Sequence, residues 1–417
     1  MAEVNEMREL GRRARRAARQ LLQTSGDQRR EALLGMAAAL ERHLDTILQE
    51  NQRDLDSADD RGITGAMRDR LRLTSDRVGG MAQGLREVAE MDDPLGQVVA
   101  EWTRPNGLEI SQVRIPLGVI GIIYEARPNV TADAAGLCLK SGNVVFLRGG
   151  SEAQHSNSVI LKVLREAIEQ QGLPADALMS LPSTDRGWIM EMLKADEFID
   201  VIIPRGGESL IRFVVENSRV PVIKHYKGVC HIYIDGEADL SKALDICINA
   251  KVQRPGVCNA METLLVDAEV ANTFLPDVAR RYADAGVELR GCSDTRGIID
   301  VLEATDLDYH AEYLDLVLSI KVVHGVDGAI AHIEEFGSDH TESIISENSV
   351  TVQRFLDQIQ SSVVMANAST RFSDGGQMGL GAEIGISTSK LHAYGPMGVT
   401  DLTTRKFVIR GNGQIRN

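Results

Sequence analysis

The stretch GVIGIIYEARPNVTADAAGLCLKSGNVVFLRGGSE, residues 118–152, decides the fold. Its runs 118–125 and 143–150 are short, apolar on both faces and rich in Val and Ile, so each reads as a buried strand. A helix-period segment follows at 158–172, with Val159, Ile160, Val163, Leu164, Ala167 and Ile168 on one face. Downstream come 177–182, a helix around 188–195, a strand at 198–207, a helix at 208–218 and a strand at 221–226. Strands alternating with helices imply right-handed crossovers and a parallel, Rossmann-like sheet. The alternation restarts after residue 228, with strand-like runs 230–235, 263–267, 317–323 and 361–369, which predicts a second α/β domain.

Upstream, Val4, Met7, Leu10, Ala14, Ala17 and Leu21 recur at helical spacing. A second helix is expected through Leu33, Met36, Leu40, Leu44 and Ile47. Residues 97–115 differ: two strand-like runs joined by Arg-Pro-Asn-Gly form a hairpin pattern, and the tail 402–416 is a further strand able to pair with it.

The composition suits this architecture. The chain has 417 residues, 43% of them apolar, with 38 glycines for strand-to-helix turns and only 4% aromatics. A net charge of −15 argues against general binding to nucleic acid or anionic membrane. Five scattered cysteines without a C-x-x-C pair make a disulfide framework or zinc site an unneeded assumption, and a reducing cytoplasm is expected. The basic N-terminal segment carries Glu3, Glu6 and Glu9, which spoil a transit-peptide pattern, and no run is long enough to span a membrane.

One of those cysteines stands apart. In KVQRPGVCNAMETLLV, residues 251–266, the helix 241–251 must stop at Arg254-Pro255-Gly256, which leaves Cys258 in a loop before a strand. There its sulfur and backbone N–H are free to face a cleft, and Arg254 is a source of charge that favours the nucleophilic thiolate. The other four cysteines read as packing. Anion chemistry is suggested by LKSGNVVFLRGGSE, 139–152: a strand ending in Arg148, then Gly-Gly-Ser before a helix. With Ser151 rather than an acid at that turn, a 2′-phosphate is tolerated, which favours NADP over NAD. Gly206 and Gly207 in IIPRGGES, 202–209, repeat the design and would let backbone approach a pyrophosphate. In HIEEFGSDHTESII, 332–345, His332 and His340 lack a convincing ligand set, so no metal site is expected. Polar contacts to an amino-acid substrate fit that stretch better.

These residues together resemble the aldehyde dehydrogenase superfamily over nearly the whole chain. RPGVCNAMETLLV, 254–266, looks like its catalytic-cysteine segment. VHGVDGAIAHIEEFGSDHTESI, 323–344, looks like a signature of the branch that reduces an acyl phosphate, with Phe336 where Tyr or His is expected. The resemblance implies an aldehyde-dehydrogenase-like α/β fold of two Rossmann-like three-layer αβα domains plus an oligomerisation arm. An NADP-binding domain would span 1–97 and 116–228, a catalytic domain 229–398, and the arm 98–115 and 399–417. YEARPNV, 124–130, matches the segment whose asparagine, here Asn129, helps to hold an oxyanion. Arg148 takes the place of a cofactor-binding lysine, Ser151 that of a ribose-binding acid, and Glu312 that of a glutamate on the nicotinamide ribose. Arg254, Ser338, His340, Thr341 and Arg371 are candidate substrate contacts.

The stretch KHYKGVCHIY, 224–233, has no carboxylate where hydrolytic members carry the base that activates water. The implied activity is NADPH-dependent reduction of L-glutamyl 5-phosphate to the semialdehyde through a Cys258 thioester, in proline biosynthesis. A homodimer or higher oligomer is implied, with the upstream glutamate kinase as a candidate partner. The alternatives are a hydrolytic or CoA-acylating aldehyde dehydrogenase, and a catalytically silent cofactor-binding scaffold.

Overall fold

The computed structural model describes residues 2–416. Two compact units divide the chain. The first comprises the residues up to Lys224, Gly379–Gly385 and the segment from Met397 onward; the second comprises His225–Met378 and Ile386–Pro396.

In the first unit a four-stranded sheet runs Leu178–Ser180, Val144–Arg148, Val119–Tyr124, Val201–Arg205, with every pairing parallel. Ile120 sits opposite both Val145 and Val201. All six residues of Val119–Tyr124 are buried, because helices cover both faces of a parallel sheet and leave its central strand no polar side. The crossovers include helices Asn129–Lys140 and Gln154–Gln170.

Five further helices precede the sheet: Ala2–Leu21, Gly26–Arg42, Leu44–Asp60, Gly65–Leu71 and Ser75–Glu90. The apolar period through Leu33 and Ile47, expected to mark one helix, is carried by two. His43 departs from helical geometry (φ −100°, ψ 18°), capping one helix and opening the next without a glycine or proline to announce it. Ser25 begins the first of these two with a reciprocal capping box to Gln28.

Strands Val98–Thr103, Glu109–Pro116 and Thr403–Arg410 form a separate antiparallel sheet in which the hairpin pairs with the C-terminal tail. Trp102 meets Phe407 edge-on across it at 6.2 Å, and both rings are exposed.

The second unit holds a seven-stranded sheet, ordered Leu302–Glu303, Glu288–Gly291, Val317–Val323, Met261–Asp267, Cys230–Ile234, Thr341–Ile345, Val363–Ala366, again with every pairing parallel. Strand alternation splits its core into two layers. Ile232, Ile234, Leu264 and Val266 pack with Phe274 and Tyr282 on one face, whereas Tyr233, Leu265 and Ile344 pack with Phe355 on the other. Among the described residues no helix is long and apolar enough to cross a membrane.

Candidate active site

In the second unit the helix Leu240–Val252 ends as Pro255 approaches, and the strand Met261–Asp267 begins nine residues later. Cys258 lies in the turn between them and is half-buried. Ala260 N–H donates to Val257 C=O at 3.0 Å, and the buried Asn259 amide donates to Ser373 C=O at 2.8 Å, so the turn is pinned from two sides. Cys138, Cys230 and Cys247 are fully enclosed, and burial raises their thiol pKa values. Such thiols do not supply thiolate at neutral pH.

The main chain of Gly228 presses on this turn. A Cβ there would collide with the Cys258 carbonyl oxygen and lie 3.0 Å from its Cα, so only glycine fits. Glu312 Oε1 accepts the Gly228 N–H at 3.0 Å, and Ser338 Oγ accepts the Val229 N–H at 2.8 Å. Two side chains expected to touch substrate are instead structural. His340 and Thr341 have no solvent exposure. His340 Nδ1 stands 2.9 Å from Thr341 Oγ1, which donates to Ser373 Oγ at 2.8 Å, and burial pushes the imidazole down to about 3, so it is neutral. They pack between Cys230 and Ser373, where His340 Nε2 is buried without a hydrogen-bond partner. Phe336 is likewise enclosed, packed on His332 at 4.6 Å and on Tyr309 at 5.5 Å.

Arg371 is half-buried and donates through Nε to Gln253 Oε1 at 2.8 Å. Burial, then the charge of Arg254, lowers its pKa, while Asp374 first, then Cys258 and Cys230, pull the other way. Two guanidiniums thus share the neighbourhood of Cys258, an arrangement that favours an anion between them.

A fully buried ion pair escaped sequence reading. Lys251 Nζ lies 2.6 Å from Glu262 Oε2, with both side chains wholly enclosed. Burial pushes Glu262 up to about 7 against the pull of Lys251. The one signal for it was a carboxylate inside the otherwise apolar strand 261–266.

Asp308, in the short helix Asp306–Tyr309 that leads to Glu312, is held at about 2. Burial raises it, but hydrogen bonds from Thr305, Arg290 and Tyr313 together outweigh burial. A depressed carboxylate stabilises the fold fully above its unfolded pKa of about 4, and that stabilisation is lost as pH falls through about 2. It amounts to at most about 2 kcal/mol. Asp308→Asn is therefore expected to flatten the fall in stability between about pH 4 and pH 2 in urea melts.

In the first unit Arg148 ends its strand beside an open pocket lined by Tyr124, Gly150, Ser180, Ser183 and Thr184. Its Nη2 donates to Thr184 C=O at 2.7 Å, but its buried Nε has no hydrogen-bond partner. Arg148 itself belongs to the pocket lining, so its guanidinium is a candidate partner for an anionic group there. Ser151 is exposed at the start of the short turn Ser151–Ala153. The next residue is acidic after all: Glu152 folds back over Gly150, where a Cβ would strike its carboxylate; burial lowers the Arg148 pKa, and the Glu152 charge opposes it only in part.

Gly206 and Gly207 join the strand Val201–Arg205 to the helix Glu208–Asn217. The N–H of Gly207, expected to face a pyrophosphate, instead donates to Glu125 Oε2 at 3.0 Å. Asn129 opens its helix, exposed, and its amide donates to Asp133 Oδ2 at 3.0 Å; burial pushes Asp133 up to about 6. No group of three or more His, Cys, Asp or Glu side chains is placed to hold a metal ion among the described residues.

A thiol presented on a turn that enters the central strand of one parallel sheet, in a chain with a second parallel sheet bearing an arginine-lined pocket, defines a class. The family model described as the aldehyde dehydrogenase family matches residues 1–291, and the chain belongs to that family. More particularly, it is 54% identical to a γ-glutamyl phosphate reductase of Citrifermentans bemidjiense and 55% identical to one of Geotalea daltonii, each over all of both chains. The crystal structure of the γ-glutamyl phosphate reductase of Thermotoga maritima matches it with a TM-score of 0.97 at 44% identity, covering 99% of this chain and 100% of that one.

Proposed function

We propose that the chain is a γ-glutamyl phosphate reductase, converting L-glutamyl 5-phosphate and NADPH to L-glutamate 5-semialdehyde, orthophosphate and NADP in proline biosynthesis. The observation that carries this reading is the half-buried Cys258 on its pinned turn, in a chain full-length similar to proteins of that name.

The Cys258 thiolate attacks the γ-acyl carbon, the bond from that carbon to the phosphate oxygen breaks, and phosphate leaves with the electron pair. The Cys258 backbone N–H holds the transient oxyanion, and Asn129 is retained as a second donor on the resemblance alone. Arg254 and Arg371 receive the anionic end of the substrate. Arg148, Ser151 and the Gly206–Gly207 turn would hold NADPH in the first unit, with Glu312 retained as a ribose contact on the resemblance alone, and the bound cofactor would supply the hydride for reduction of the acyl group. The sulfur then departs as thiolate and the aldehyde is released.

No carboxylate in 224–233 is available to activate water. Carboxylates from neighbouring elements have partners: Glu262 pairs with Lys251, Glu312 accepts the Gly228 N–H, Glu342 faces His231, and Asp374 accepts the N–H groups of Gly376 and Gln377. Protection of the thioester from hydrolysis follows from that arrangement. With glutamyl phosphate formed in situ, one phosphate released per NADPH oxidised supports the reading; phosphate release that ignores NADPH contradicts it.

Preference for NADPH over NADH is part of the proposal, supported by the place of Arg148 in the pocket lining. Arg148→Ala is expected to raise KM for NADPH about 10- to 100-fold, the worth of a charge-assisted hydrogen bond, and to change KM for NADH little. Steady-state kinetics with both cofactors measures it. The exposed Trp102, Phe407 and Ile409 of the three-stranded sheet support a homodimer or higher oligomer. A cytoplasmic location and a contact with the upstream glutamate kinase complete the proposal.

A further inference from the structure

The loop that carries Cys258 is closed at its base by the Lys251–Glu262 pair. Lys251 stands in the last turn of the preceding helix and Glu262 is the second residue of the following strand. Their 2.6 Å contact, enclosed on all sides, ties the two ends of the loop together. The free oxygen of Glu262 reaches further: Oε1 accepts the N–H of Leu314 at 3.2 Å.

Leu314 is one of three described non-glycine residues with positive φ, at +54°, a conformation that costs about 1 kcal/mol or more and persists only where neighbours impose it. Its carbonyl oxygen would lie 3.6 Å from a Cβ at Gly256, so it lies against the Cys258 loop. Two residues earlier, Glu312 takes the Gly228 N–H at 3.0 Å, and Gly228 abuts the Cys258 carbonyl. Contacts therefore run in a closed ring: Lys251 to Glu262, to Leu314 and Glu312, to Gly228, to Cys258, and along the loop back to Lys251.

A buried ion pair gains little net stability over an apolar pair of the same volume, so stability alone is a weak reason for its presence. What an apolar pair could not supply is the acceptor for Leu314. We propose that Lys251 and Glu262 are positioning residues: they set the Cys258 turn and the Glu312 carboxylate in a common register, so that nucleophile and the proposed ribose-binding carboxylate move as one piece. Neither touches substrate or cofactor. This inference rests on Cys258 being the nucleophile.

The test compares purified full-length Glu262→Gln and Lys251→Met/Glu262→Met, scored per folded, NADPH-binding molecule. Glu262→Gln keeps an oxygen for Leu314 and is expected to lower kcat about 10-fold. The double variant keeps neither the acceptor nor a lone buried charge, and kcat should fall at least about 100-fold, the cost of a misplacement near 1 Å. KM for glutamyl phosphate should stay within about threefold in both, because ground-state binding is not what the ring supplies.

A double variant with kcat within about threefold of wild type overturns the proposal, as does a loss that only mirrors a smaller folded fraction. Should the double variant not fold, unchanged kcat in Glu262→Gln overturns it equally. Cys258→Ala run alongside separates the two readings. If it still turns over, the nucleophile assignment fails and the ring with it. If it is inactive while the double variant is normal, only the ring fails.

Discussion

Cys258→Ala will lower turnover of glutamyl phosphate by at least about 10⁴-fold, the scale on which removal of a covalent nucleophile acts. NADPH binding should survive, since the Arg148 pocket lies in the other folded unit of the chain. The remaining thiols offer no substitute: Cys138, Cys230 and Cys247 are enclosed, with burial disfavouring their thiolates. Cys292 is partly exposed but stands at a strand end, beside the Thr295 hydroxyl at 3.3 Å. Stopped-flow NADPH oxidation together with a binding titration separates loss of chemistry from loss of cofactor.

Gly228→Ala is expected to be nearly as damaging although it adds a single methyl group. The new Cβ would meet backbone, the Cys258 carbonyl carbon at 2.8 Å and Cα at 3.0 Å, and backbone cannot rotate away as a side-chain tip can. Relief must come from moving the Cys258 turn or Gly228 itself, whose N–H is held by Glu312. A shift near 1 Å at a nucleophile costs on the order of 100-fold. We therefore expect kcat to fall at least about 100-fold, with a melting temperature lowered by only a few degrees. Wild-type kcat in Gly228→Ala would show that the turn has slack and that its position is not set by this contact.

Both effects arise from a site that was partly legible before any coordinates. The runs 230–235 and 263–267 were legible as strands of a second α/β unit, because short apolar stretches between helix-period segments read as buried strands. Cys258 was readable as a loop thiol because Pro255 and Gly256 must end the helix before it. What stayed hidden depends on partners distant in sequence. Glu125 and Gly207 lie 82 residues apart, so nothing local signals that a carboxylate already occupies that N–H. Lys251 and Glu262 are ordinary polar letters until both are seen to have no water. His340 and Thr341 show the converse: polarity suggested a surface for a ligand, whereas both are wholly buried, with His340 Nδ1 and the Thr341 hydroxyl turned toward Cys230 and Ser373. The break at His43 was missed because a helix can stop on main-chain geometry alone.

The central claim is that phosphate, not water, resolves the acyl group on Cys258. It is tested most directly in reverse, by following NADPH formation from glutamate-5-semialdehyde and NADP with and without orthophosphate. Strict dependence on phosphate, absent in Cys258→Ala, is the predicted result. Equal NADPH formation without phosphate would mean that water releases the acyl group, and would contradict the assignment by making the enzyme a hydrolytic dehydrogenase.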